Sequence, residues 1–206
     1  MTASRMSRLL AVFCLFFGGV ALTSFASSPG NAKPATNGGG EHATPAEKQA
    51  QSRQAYQKVA EVLRHPRCMN CHTVTEFPRQ GDDRHRHHQM VVRGPANSGA
   101  PAMQCASCHQ AKNSQDGKVP GAPHWQLAPL SMAWEHLKTD GDLCRALLNP
   151  KTNGKRDVPK LVTHMTEDAL VQWAWAPGER KPPPITQEEF HQFVKIWADN
   201  GAACPK

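Results

Sequence analysis

Downstream of residue 43, apolar positions recur at helical spacing in four short stretches, each opened by a capping signal. Thr44-Pro45-Ala46-Glu47 has the form N-cap, N1 proline and capping-box acid, and it opens a helix to about Arg64 with Ala55, Val59, Val62 and Leu63 on one face. His65-Pro66 ends it. Thr139-Asp140-Gly141-Asp142 caps a second helix bearing Leu143, Cys144, Leu147 and Leu148, which Asn149-Pro150 stops. Thr166-Glu167-Asp168 is expected to cap a third, with Leu170, Val171, Trp173 and Ala174. Thr186-Gln187-Glu188-Glu189 caps a fourth, whose Phe190, Phe193, Val194 and Trp197 fall at i, i+3, i+4 and i+7, with Gly201 just beyond its end. Residues 73–103 and 110–130 have no sustained period and carry frequent Gly and Pro. No stretch alternates as a strand. The expected class is therefore mainly α, small helices joined by long irregular loops, and loops of that length need something other than each other to organise them.

The N-terminal pattern is different. Arg5 and Arg8 precede the apolar run Leu9–Leu22, and Ser24-Phe25-Ala26 follows as a small-x-small site, so residues 1–26 read as a secretory signal peptide. Its rival is an uncleaved anchor, since the run falls just short of a span. Residues 27–43, Gly-, Pro-, Ala- and Asn-rich, read as a flexible tether, which leaves 44–206 as one domain. No membrane span is expected once the signal is cleaved.

Charge narrows the partners. The 206 residues hold 24 Lys+Arg against 17 Asp+Glu, and loss of the signal removes two Arg. Arg79, Arg84, Arg86 and Arg93 lie scattered among His and Gly with no basic stripe interleaved with aromatics, so nucleic acid is not an expected partner. The modest excess suits docking to an acidic protein, or balances acidic groups on a cofactor.

Two pentapeptides carry the chemistry: Cys68-Met69-Asn70-Cys71-His72 and Cys105-Ala106-Ser107-Cys108-His109. Both are CxxCH, the attachment pattern of c-type haem. Two thiols on one turn reach the two vinyl groups of a porphyrin, and the following imidazole falls under the iron as its proximal ligand. A structural zinc site shared by four thiolates is the competing reading, but the 33 residues between Cys71 and Cys105 exceed the usual zinc spacing of about 15–20. A thioredoxin-type pair is another, and no βαβ pattern surrounds either motif. Two covalent c-type haems, with loops wrapped around them, also account for an aromatic content of only 6%.

A sixth ligand separates a closed, electron-carrying iron from a reactive one. Between the motifs, His85, His87 and His88 lie in an Arg-rich loop, and His88 leads into the apolar Met90-Val91-Val92, so His88 is preferred and His87 and Met90 stand as alternatives. A solvated basic loop is the plain alternative. For the other iron, His164 sits in the otherwise apolar Leu161-Val162-Thr163-His164-Met165, with Met132 as a thioether alternative and an ordinary hydrogen-bonded core histidine as the bland one. Cys144 and Cys204 remain once the haem cysteines and Cys14 are set aside, and in an exported chain such a pair is most simply a disulfide.

The succession CMNCH, HHQMVVRGP, CASCHQ, PGAPHWQLAPLSMAW, LCRALLNP, HMTEDALVQWAW and WADNGAACP resembles a family of exported bacterial dihaem c-type cytochromes. Some of its members are labelled as the cytochrome subunit of isoquinoline 1-oxidoreductase-type molybdenum hydroxylases. The resemblance spans about residues 55–205. It implies a periplasmic electron-transfer protein that is not itself an enzyme, with His72 and His109 proximal and a molybdenum-containing oxidoreductase as redox partner passing electrons on to a respiratory acceptor. The alternative is a dihaem enzyme of the peroxidase or thiosulfate dehydrogenase type, with one open or thiolate-ligated iron.

Overall fold

The computed structural model describes residues 43–206; the expected signal peptide and all but the last residue of the expected tether lie outside them. Six helices follow in order: α1 (Pro45–Leu63), α2 (Pro66–Met69), α3 (Asp140–Leu148), α4 (Val158–Glu167), α5 (Ala169–Gln172) and α6 (Gln187–Asp199). The class is mainly helical. Two small antiparallel hairpins interrupt the loop expected over 73–103: β1 (Arg79–Gln80) with β2 (His85–Arg86), and β3 (Gly99–Ala100) with β4 (Met103–Gln104). Each strand is two residues long, too short to leave an alternating signature. Among the described residues no helix is long and apolar enough to cross a membrane.

The capping boxes at Thr44, Thr139 and Thr186 all form, each threonine hydroxyl accepting the N3 amide while the N3 acid bonds back to the cap. The third expected helix differs. A helix begins earlier, at α4, where Asp157 accepts Lys160 N–H and Pro159 sits in the first turn; Thr166 lies inside it, with its hydroxyl donating to Val162 C=O. Asp168 then caps the separate single turn α5. His164 is therefore on a helix rather than in the segment before one.

The core is built where α1 crosses α6. Tyr56, Val59, Phe190, Val194 and Trp197 are almost wholly enclosed, with the Tyr56 and Trp197 rings 5.5 Å apart. Ser52, also enclosed, donates to Trp197 C=O at 2.7 Å and accepts Ala203 N–H at 2.8 Å, which pins the chain end to α1. A disulfide joins Cys144 of α3 to Cys204, as expected. Arg64 closes α1 and donates to Leu137 and Thr139 carbonyls while pairing with Asp140 at 2.9 Å. These ties bring α1, α3 and the C-terminus into one wall.

The long connection from α2 to α3 is held by polar anchors rather than by apolar packing. Arg93, only 3% exposed, donates to the carbonyls of Thr73, Thr75 and Ala128 and to Asn97 Oδ1. Glu135 accepts Val74 N–H at 2.7 Å and Thr73 O–H at 2.8 Å and pairs with Arg84. A loop can stay ordered away from the core only if its buried backbone groups find such partners. Gly121 is required for close approach: a side chain there would meet Lys112 C=O at 2.1 Å.

Candidate functional site

The two CxxCH segments close with the same backbone hydrogen bond. His72 N–H reaches Cys68 C=O at 3.1 Å and His109 N–H reaches Cys105 C=O at 2.9 Å, so in each motif one turn sets both thiols and the histidine. Pro66 at the first helical position, with His65 as the cap, starts the first turn; the second is a short 3₁₀ turn, Cys105–Ser107. All four thiols are free. Each motif opens on its own cavity, of about 350 Å³ and about 310 Å³, within the range of cofactor sites.

On the wall next to each motif the arrangement repeats. His72 Nδ1 is 2.8 Å from Met132 C=O and His109 Nδ1 is 2.7 Å from Pro120 C=O. A carbonyl can only accept, so Nδ1 carries the proton in both rings, leaving Nε2 as a free lone pair. Each ring also stacks on an indole, His72 on Trp134 at 3.5 Å and His109 on Trp125 at 4.6 Å, both with 9° between planes. Burial pushes the His72 pKa down to about 4 and lowers that of His109, although the Met132 and Pro120 carbonyls work in the opposite direction. Both imidazoles are thus neutral, oriented and ready to donate from Nε2.

The thiols are not arranged for redox exchange. Burial raises Cys68 to about 12 and Cys71 to about 11, the latter also through Cys105 nearby, whereas a thioredoxin-type pair needs a lowered thiol. Among the described residues no three His, Cys, Asp or Glu side chains converge in a metal-binding group, so the four sulfurs do not gather as in a shared zinc site.

Each cavity is lined by a further histidine, and the first by two, His124 and His164. His164 lines the first cavity together with Met132 and Met165, close enough to His72 to depress its protonation. His87 lines the second, its ring centroid 6.1 Å from that of His109 and nearly perpendicular at 76°. A single metal bonded at about 2 Å to one nitrogen of each ring would separate the centroids by about 6 Å. His88, the preferred residue of the loop, is elsewhere: its ring lies 4.5 Å from His85, and it lines neither cavity. The reason is a turn closed by Met90 N–H on His87 C=O, which leaves His87 as the last residue before the reversal and puts His88 at its corner. Met90, in the left-handed region at φ 56° and 60% exposed, also lines neither cavity.

The cavities share a wall of Arg67, Cys71, Trp125, Gln126, Leu127 and Trp173. Trp125 and Trp173 meet edge to face at 4.8 Å, and Asn113 holds this contact by accepting from Trp173 Nε1 at 2.8 Å and from Gly121 N–H at 2.9 Å. Arg67 donates to Gly81 C=O and Asp82, but its buried Nε has no protein partner. An unpartnered guanidinium nitrogen beside two apolar slots fits an acidic group on a cofactor.

The three tryptophans, Arg67 and Asn113 are not evident as site residues in the sequence. The Trp and Gly-Pro content of 119–134 is a visible signal, but only folding brings these groups against the histidines. Comparison with family models, with curated proteins and with solved structures found no match for this chain.

Proposed function

We propose that the protein is an exported, periplasmic c-type cytochrome carrying two covalently attached haems, and that it transfers electrons without itself being an enzyme. One observation carries this reading: behind both CxxCH motifs the histidine gives Nδ1–H to a backbone carbonyl, stacks on an indole and shares an apolar cavity with a second histidine. The donor set fits the group, with Cys68 and Cys71 holding one haem, Cys105 and Cys108 the other, and His72 and His109 proximal. His164 and His87 would supply the distal nitrogens, with Met132 in reserve at the first site.

When bound, haem supplies reversible one-electron chemistry at its iron. The chain's own residues do the rest. The Met132 and Pro120 carbonyls fix the tautomer of the proximal rings and raise their basicity. The apolar linings keep water from the ligating nitrogens, and Arg67 offers a buried positive charge to acidic groups on either side of the shared wall. Because Trp125 and Trp173 line both cavities, the two sites adjoin and would lie close enough to exchange an electron. A molybdenum-containing oxidoreductase is the proposed donor, on the sequence resemblance described above. A dihaem enzyme would need an open or thiolate-ligated iron; a histidine faces each cavity, and Cys144 and Cys204 are joined to each other.

Periplasmically expressed protein, assayed for haem and by absorption spectroscopy with and without carbon monoxide, tests the reading. Two covalent haems per chain, both low-spin and unresponsive to carbon monoxide when reduced, are expected. A carbon monoxide complex would move the enzyme alternative forward, and absence of covalent haem would end the proposal.

A further inference from the structure

The two facing histidines are backed differently. His164 Nδ1 lies 3.3 Å from Asp168 Oδ2, one helical turn on. The other carboxylate oxygen is already engaged at the start of α5, accepting Leu170 N–H at 2.9 Å and Val171 N–H at 3.3 Å. The carboxylate is thereby held in place by backbone with one oxygen left for the imidazole. Among the described residues no Lys or Arg pairs with Asp168, so its charge is not consumed elsewhere. Arg156, which also lines this cavity and donates to Asn153 C=O, places a positive charge near His164 that works against Asp168. At the second cavity no carboxylate pairs with His87 among the described residues; its Nδ1 instead accepts Gln89 N–H at 3.4 Å, which puts the ring proton on Nε2, so this ring has to give up that proton before Nε2 can ligate.

We propose that Asp168 is a positioning residue for His164: it accepts a hydrogen bond from Nδ1–H, which leaves Nε2 free to ligate, and through its charge it makes the first distal ligand more electron-donating than that ring would be without the carboxylate. This rests on His164 being a haem ligand. A carboxylate behind a ligating imidazole fixes its tautomer and raises its basicity, and a more basic ligand stabilises the oxidised metal. Asp168 therefore holds the first haem's reduction potential below the value it would have without this carboxylate, an effect of one side chain outside the metal's own ligand set.

Asp168→Asn is the discriminating variant, because asparagine caps a helix as well as aspartate does and has the same shape, so α5 is retained while the charge goes. In a spectroelectrochemical titration of the dihaem protein, one midpoint is expected to move upward and the other to stay, with both haems low-spin. Two unmoved midpoints, or two equal shifts, would overturn the proposal while leaving the dihaem reading intact. His164→Ala, measured alongside, is expected to turn one haem high-spin. If both haems stay low-spin in His164→Ala with neither midpoint moved, so that Met132 has not taken the place of the ring, His164 is not a ligand and the role of Asp168 falls with it; a protein with no covalent haem removes the functional reading as a whole.

Discussion

In the first cavity the ring facing His72 stands on α4, a helix of ten residues whose Leu161 and Met165 are part of the core. In the second, the ring facing His109 stands at a turn after a two-residue strand, among exposed neighbours. The proximal walls are near copies of one another; the distal walls are not. A CxxCH turn needs only its own five residues and one carbonyl to orient a histidine, so the same solution recurs wherever the motif is placed. The further histidine comes from another part of the chain and inherits the rigidity of whatever supports it, packed helix in one case and hydrogen-bonded hairpin in the other.

The largest expected effect comes from the element that ties the helical wall together. Replacing both Cys144 and Cys204 by alanine should cost roughly 4 kcal/mol on the loop-entropy account, read as the shift of a chemical denaturation curve. If the two sites form one cooperative unit, the spectra of both haems will be lost in a single transition. Loss of the first before the second would show that α3 and α4 support only their own cavity.

Next in size is the loss of a distal ring. His87→Ala and His164→Ala should each open one iron, so that the reduced variant binds one carbon monoxide per two haems. The comparison becomes sharper if His87→Ala alone changes little, since that would mean the hairpin ligand is already displaced in solution. His88→Ala is expected to leave both spectra unchanged, and a high-spin signal there would reverse the assignment of His87 and His88.

The smallest effect is one of pH. Burial alone would raise the Glu135 pKa, but hydrogen bonds from Val74 N–H and Thr73 O–H, with Arg84 and Arg79 nearby, outweigh it and hold the carboxyl below its ordinary value. Glu135 therefore contributes stability that is fully present above the ordinary carboxyl pKa and is lost as pH falls through the lowered one. Because it follows Trp134 and grips residues 73 and 74, acid should perturb the His72 site before the His109 site in a pH titration of the two spectra. Glu135→Gln should remove that difference.

The helices at residues 44, 139 and 186 are legible because each begins with a threonine and an acid three residues on, a signal complete within four residues. The start of α4 is hidden because two helices abut at Asp168: Thr166-Glu167-Asp168 has the form of a start, yet Asp157 has already set the chain turning and Asp168 caps only the single turn α5. The hairpins escape notice for want of length. In the loop between the motifs, the apolar run after His88 correctly marks a chain returning to a cavity, since Val91 lines the second one. It does not say which of two adjacent histidines turns inward, and a single β-turn decides that.

By itself, then, the sequence determined what is local: the helix starts at Thr44, Thr139 and Thr186, the two CxxCH turns and the leftover cysteine pair. These depend on residues within a few positions of each other, or on simple elimination. Tertiary structure alone decided which carbonyl holds each proximal ring, which tryptophan stacks on it and that His87 rather than His88 faces His109. It also decided that Asp168 backs His164 while no acid backs His87. Those contacts join residues dozens of positions apart, and a hydrogen bond of 2.7 Å between His109 and Pro120 depends on Gly121 letting the chain approach closely, a condition no periodicity records.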